Sequence, residues 1–522
     1  MSLLKSAAQV GGLTLVSRAL GFVRDMLTAS VVGTGPVAQA FVIAFRFPNL
    51  FRTLFAEGAF NSAFVPMFAR RLEGGGEQAA KGFAEEVYAV MFAWLLAFTA
   101  AAQIAMPLLM YVIAPGFAGE PEKFDLSVAL TRIAFPYLLF MSLNALQGGI
   151  LNSLRRFSAA ASAPILLNLV MIVTLLFVQA KGWGETAITG YALAWGICAA
   201  GVAQWLLLMI ACRRANMTLR LKLPKLTPDV KRLVKLGIPG IVAGGITQVN
   251  ILIATMIATG IDRAVSYLYY ADRVYQLPLG VVGVAIGVVL LPEMARKLRS
   301  NDAKGAVANQ NRALEFALFL TLPATIALIA LPLAIVNTCF EHGAFTRNDT
   351  IATASALAAF SIGLPAFTLN KVFSPGFFAR EDTRTPMNFA IVSVVANVIG
   401  SLILSRFVGH VGIALATALA AWINSSMLAI TLARRGHYAP DAQLRARLPR
   451  IIAASLGMGA VLLAALWVTV PVFEGGYPLW ERVFLLLALV IIGIVTYFGL
   501  AHLFGAMKLG DIKAMMTRRG FT

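Results

Sequence analysis

The sequence predicts an all-α polytopic membrane protein. Fourteen transmembrane helices are expected, as two six-helix lobes related by a parallel pseudo-repeat plus two C-terminal helices. Three observations carry this: composition, the sidedness of the basic residues, and internal self-similarity. Of 522 residues, 59% are hydrophobic and 13% charged, against about 45–50% and about 25% in soluble domains. Mean hydropathy is +0.80. Apolar runs recur along the whole chain, each near the ~20 residues that cross a bilayer as a helix.

Read against their charged punctuation, the runs fall at residues 8–33, 36–66, 84–114, 126–152, 160–180, 186–212, 236–260, 264–294, 312–337, 351–378, 386–406, 411–433, 451–473 and 480–505. The first is broken by Arg18, Arg24 and Asp25, and no small-residue cleavage site follows it. It is therefore a poor signal-peptide core, and it is expected to stay in the mature protein. The second run, Pro36 to Pro66, is too long for one straight crossing, since about 31 residues rise about 46 Å at 1.5 Å each. Pro48 beside Asn49, and Gly58, are its expected kinks. The eighth run shares the trait, with Pro278, Gly280, Gly283 and Gly287.

Charge sidedness tests the map. An even number of spans puts both termini on one side, and alternate loops should then be rich in Lys and Arg. Of 43 basic residues, 30 fall on the side this assigns to the cytoplasm and 6 on the other, while 7 lie within spans. The net charge of +19 thus reads as a topology signal rather than as a nucleic-acid surface, and both termini are expected in the cytoplasm.

The chain also resembles itself. Gly190–Ala194 (GYALA) recurs as Gly412–Ala416 (GIALA), 222 residues on, and Pro164 matches Pro386 at the same offset. Arg213–Arg214 recurs as Arg434–Arg435 at 221, and Pro66–Leu72 (PMFARRL) as Pro292–Leu298 (PEMARKL) at 226. Six spans separate the copies, so each keeps its orientation. Transporters built on such parallel repeats bind substrate between the halves and rock them to alternate access. The expected organisation is an N-lobe at 1–212, a basic linker at 213–235 containing Pro224 and Pro228, a C-lobe at 236–435, and spans 13–14 with a tail at 436–522.

The candidate site is a set of charges inside apolar runs: Arg18, Arg24, Arg46 and Arg52 in the first two spans, and Asp272–Arg273 followed by Gln276 in the eighth. A charge at bilayer depth costs about 2.5–3.5 kcal/mol on insertion scales, so it faces a bundle interior or a water-filled cavity. A guanidinium there suits phosphate or carboxylate. The competing reading is structural: arginines that snorkel, or local pairs such as Arg24 with Asp25 and Arg52 with Glu57. For Asp272–Arg273 it is an intrahelical ion pair that fixes packing. Arg132 and Lys371 lie within runs but outside any denser polar group, and Gln248, Asn250 and Asn370 read first as interhelical hydrogen-bonding groups.

No catalytic arrangement is present: no phosphate loop with its lysine, no HExxH and no GxSxG. Cys198, Cys212 and Cys339 are too scattered for a disulfide framework or a metal site. The expectation is a transporter without cofactor, driven by an ion gradient, the membrane potential or the substrate gradient. The residues do not choose among these.

Ser17–Asp25 (SRALGFVRD), Phe45–Arg52 (FRFPNLFR) and Phe55–Phe60 (FAEGAF) through Pro66 resemble the N-terminal signature of the MurJ/MviN lipid II flippases. Tyr270–Arg273 (YADR) through Leu277–Gly280 (LPLG), and Phe378–Pro386 (FAREDTRTP), resemble later motifs of that family. The resemblance implies a member of the multidrug/oligosaccharidyl-lipid/polysaccharide exporter superfamily in a bacterial inner membrane. Two six-helix lobes would enclose a cationic cavity, with a groove for the lipid tail at spans 13–14. The implied substrate is lipid II, an undecaprenyl-pyrophosphate carrying the peptidoglycan disaccharide-pentapeptide, moved to the periplasmic leaflet. Membrane lipids and cell-wall synthesis proteins are the other candidate partners; nucleic acid is not one. Carried over by position, Arg18, Arg24, Arg52 and Arg273 would bind the anionic head group, with Glu57 as a further functional residue. Ser17, Asp25, Arg46, Asn49 and Asp272 complete the candidate set, together with Gln39 and Gln276, which stand where the family pattern has acids. A flippase for another polyprenyl-pyrophosphate-linked glycan, and a multidrug exporter of the same superfamily, stay open.

Overall fold

The computed structural model describes residues 3–55, 59–474 and 476–506, with side chains described for 9–52, 60–61, 63–238, 244–280, 290–474 and 476–506. Every regular element among these residues is helical, as expected. The order is α1 (Leu3–Val32), α2 (Pro36–Phe55), α3 (Ala59–Ile113), a 3-10 turn (Pro115–Gly119), α4 (Pro121–Ala134), α5 (Tyr137–Ser153), α6 (Phe157–Ala180), α7 (Ala187–Arg214), α8 (Pro228–Thr259) and α9 (Ala264–Arg299). Then come α10 (Ala303–Ala330), α11 (Pro332–Phe340), α12 (Arg347–Ile362), α13 (Leu364–Phe378), α14 (Arg384–Val408), α15 (His410–Arg434), α16 (Ala442–Glu474) and α17 (Leu479–Leu503).

Ten of these helices or contiguous helix pairs are long and apolar enough to cross a membrane. Fourteen crossings are compatible with this set once α1, α2, α8 and α9 are added. The first two of those carry the intra-span arginines that interrupt their apolar runs. Several expected spans prove to be built from two pieces. The fourth is α4 and α5, broken at Phe135–Pro136, and the tenth is α12 and α13, broken at Gly363. The long second span is α2 followed by the first part of α3, whose helix is interrupted at Gly76 with φ of 72°. Proline 48 does not interrupt α2, and Gly58 lies outside the described residues.

The chain forms two compact units. The first comprises residues 1–266 with 342–345, and the second 267–341 with 346–522. In the first, α1 packs on α6, α6 on α7, α5 on α7, α2 on α4, and α3 on both α5 and α8. Its core gathers Val32, Phe41, Leu130, Tyr137, Leu175 and Leu193. The basic stretch before α8 is tied to α3: Lys222 Nζ lies 2.8 Å from the buried Glu85 carboxylate, and Thr227 donates to Glu86 at 2.8 Å. Arg71 pairs with Asp229 and covers the Phe83 ring at 4.2 Å. Segment 342–345 closes on the α1–α2 turn, where Ala344 N donates to Ser30 O at 2.8 Å. Gly33 and Gly343 there have φ of 63° and 60°. A Cβ on Gly343 would lie 2.3 Å from Ser30 O, so only glycine fits.

In the second unit, α14 packs on α15, α16 on α17 and on α10, and α13 on α10 and α15. One core joins α10, α11, α16 and α17 through Phe319, Leu331, Ile451, Leu462, Leu489 and Tyr497. The buried Glu315 of α10 holds both Arg312 and Arg447, fastening the start of α16. The repeat is visible in local structure: α5–α6–α7 and α13–α14–α15 are the same succession, with Pro164 in α6 and Pro386 in α14.

Candidate functional site

The motif residues of α1 and α2 fall into two groups. Arg24 is buried, with 8% of its surface exposed. Its Nη2 and Nε donate to Asp25 Oδ1 at 2.8 and 3.2 Å, and its Nη1 donates to Asn168 Oδ1 at 3.0 Å. The guanidinium carbon lies 5.3 Å from the centre of the Phe45 ring. Asn168, from α6, also donates through Nδ2 to the carbonyl of Ser17 at 2.8 Å. One side chain of α6 therefore holds two turns of α1. The local Arg24–Asp25 pair, read from the sequence as the structural alternative for this arginine, is present.

Arg18 is different. It lies on an exposed face of α1 and has no hydrogen-bond or ion-pair partner among the described residues. Helical geometry explains the divergence, because residues six apart point about 120° away from each other after the full turns. Arg24 turns toward α6 and Arg18 away from it.

On α2, Arg46 donates through Nη1 to Thr255 Oγ1 of α8 at 3.3 Å, and Arg52 donates through Nε to Asn49 Oδ1 at 2.7 Å. Glu57, the expected partner of Arg52, lies outside the described residues. Gln39 is fully buried, and neither end of its amide has a hydrogen-bond partner among the described residues. In the second unit, Gln276 donates to Asp272, and the Arg273 guanidinium lies 4.6 Å from the centre of the Tyr269 ring. Arg132 is held by main chain, donating from Nε to Gln103 O at 3.0 Å. No group of His, Cys, Asp and Glu with metal-binding geometry occurs among the described residues.

Three contributors escaped the sequence: Asn168, Phe45 as a face for Arg24, and Thr255. Asn168 left a faint signal, an amide near the middle of a mostly apolar run, four residues after Pro164. Nothing in that run marks it as the partner of an arginine 144 positions away.

The comparisons with known proteins agree with the motifs. The family model described as "Lipid II flippase MurJ" matches residues 28–480. A "Probable lipid II flippase MurJ" of Rhizobium tropici is 48% identical over 520 residues, covering 99% of this chain and 97% of the relative. The "Lipid II flippase MurJ" of Burkholderia cenocepacia is 32% identical, with 97% and 98% covered. A solved structure titled as lipid II flippase MurJ in an inward closed conformation superposes with a TM-score of 0.78 at 26% identity, covering 95% of this chain and 98% of that one. An inward-facing MATE transporter of the MOP superfamily shares the fold, with a TM-score of 0.65 at 15% identity over 82% of this chain and 98% of that one. By sequence over nearly its whole length, the chain belongs to the lipid II flippase MurJ family.

Proposed function

We propose that this protein is a lipid II flippase of the bacterial inner membrane, a transporter rather than an enzyme, which carries the undecaprenyl-pyrophosphate-linked peptidoglycan precursor from the cytoplasmic to the periplasmic leaflet. Family membership supports the substrate. The observation that carries the chemistry is Arg18, an exposed guanidinium without a partner among the described residues, in the middle of a 30-residue helix. A diphosphate is a strong bidentate acceptor for such a group, and it leaves through solvent once water competes for the same hydrogen bonds.

The roles then divide. Arg18, Arg52 and Arg273 receive the anionic head group in a cationic central cavity, and alternating access exposes that cavity to one leaflet and then the other. Arg24 acts through Asp25 and Asn168 to set the position of α1, so its effect on transport is that of a positioning residue. Gln39 and Gln276 keep neutral amides where the family pattern carries acids, two negative charges fewer than that pattern. Their presence argues against proton exchange at those positions.

The test is lipid II accessibility at the outer leaflet of cells depleted of the protein. Loss of accessibility on depletion and recovery with the wild-type gene is expected. Normal translocation without the protein defeats the reading. If accumulation affects a different polyprenyl-pyrophosphate glycan while lipid II still crosses, the family mechanism stands and the substrate is wrong.

A further inference from the structure

The two repeats part company at one corner. In the second unit, α13 ends in a turn with Glu381 left-handed at φ of 64°, and Asp382 N donates to Phe377 O at 3.1 Å. The Asp382 carboxylate then accepts from Arg435 Nη1 at 2.7 Å and from the Thr385 hydroxyl and amide at 2.7 and 3.0 Å. One anion thus serves both the arginine at the end of α15 and the open N-terminus of α14. In the first unit, α5 ends in the same turn: Arg155 is left-handed at φ of 59°, and Arg156 N donates to Leu151 O at 2.8 Å. Here Arg155 and Arg156 stand where Glu381 and Asp382 stand, and Arg214 stands where Arg435 does.

The carboxylate is missing from this corner while the features it would serve are kept. The N-terminus of α6 has no side-chain cap, and a cation at a helix N-terminus is unfavourable. Among the described residues, Arg156 donates only to the carbonyl of Arg214, at 3.0 Å. Arg155 and Arg214 have no ion-pair partner among the described residues. All three line a cavity of about 420 Å³ that contains no acidic residue and whose walls include Leu151, Phe157, Leu207 and Ile210. Ile210 is exposed, on a helix apolar enough to cross the membrane.

We propose that this cavity binds a bilayer phospholipid with an anionic phosphate head group. The phosphate takes the place that Asp382 fills in the other repeat, between the three guanidinium groups and the α6 N-terminus, and an acyl chain lies against Leu207 and Ile210. Positive-inside asymmetry puts the corner in the cytoplasmic leaflet, where basic pockets between helices meet anionic lipids. The site is independent of which substrate the transporter carries.

The test is native mass spectrometry of the full-length protein in detergent micelles with equimolar phosphatidylglycerol and phosphatidylcholine. Wild type should retain phosphatidylglycerol over phosphatidylcholine by about fivefold or more, and Arg155→Gln with Arg156→Gln and Arg214→Gln should bring the ratio near one. A control losing the same three charges elsewhere, at Arg384, Arg434 and Arg445, should stay within twofold of wild type. Ser158→Asp guards against misfolding: an acid in the first turn of α6 suits the helix, yet it places a rival anion in the cavity. It should abolish the preference while melting no lower than wild type. Equal retention of both lipids by wild type, an undiminished ratio in Ser158→Asp, or equal losses in the pocket and control triples would each overturn the proposal. Displacement of phosphatidylglycerol by inorganic phosphate alone, at millimolar concentration, would overturn the role of the acyl chain.

Discussion

Arginines 18 and 24 share a helix and a sequence motif, yet the structure treats them as opposites. The Arg24 guanidinium meets a carboxylate, an amide and an aromatic face, all supplied by the protein. Arg18 meets none of these among the described residues. The same contrast recurs in the repeat, where Arg435 has Asp382 and its counterpart Arg214 has no carboxylate partner among the described residues. A guanidinium that the protein satisfies is part of the architecture. One left open inside a membrane protein is available to an anion from outside. Intra-span charge alone does not tell the two apart; the partners do.

The largest effect is expected at Arg24. Replacing it with alanine takes the guanidinium away from the buried Asp25 carboxylate, and breaking a buried pair costs about 3–5 kcal/mol. The melting temperature in detergent should fall by many degrees and transport should fall with it. A variant that melts like wild type would remove Arg24 from the architecture and place it beside Arg18.

Asn168→Ala is next. It strips an acceptor from Arg24 and a donor from the Ser17 carbonyl, an expected loss of about 1–3 kcal/mol. Asn168→Asp should restore the acceptor and tighten the hold on Arg24 without replacing the donor. Thermal melting of the three proteins orders them, and Asp melting below Ala would contradict the assignment.

The smallest effect concerns Asp382. The Thr385 hydroxyl and amide, and then Arg435, hold its carboxyl down at about 2. A depressed folded-state value stabilises the protein above the ordinary carboxylate range near 4, and that contribution is lost as pH falls toward 2. Between pH 5 and pH 3, Asp382→Asn should therefore lose less stability than wild type. Identical acid profiles would show that the corner pair contributes nothing measurable.

Much of this was legible beforehand, for identifiable reasons. Bilayer thickness forces helix length, so the apolar runs marked the helices. The offsets of Pro164 and Pro386 marked the repeat. Breaks inside spans were less visible: Gly363 sits within an apolar run with no charge to flag it, and α11 is a nine-residue helix begun by Pro332 that the sequence merged with its neighbour. At the site, the intra-span arginines announced themselves by their cost. Their division into paired and open groups was not readable, because it depends on which face of α1 meets α6. Asn168 and Phe45 acquire their roles only through that packing.

The most direct measurement is therefore made on Arg18→Ala, with melting temperature and outer-leaflet lipid II accessibility read from the same protein in a depletion strain. An exposed side chain without partners among the described residues should leave stability within about 0.5 kcal/mol of wild type, while lipid II accessibility stays at the depleted level. A fully stable Arg18→Ala protein that restores lipid II to the outer leaflet would mean that the open guanidinium does not hold the head group.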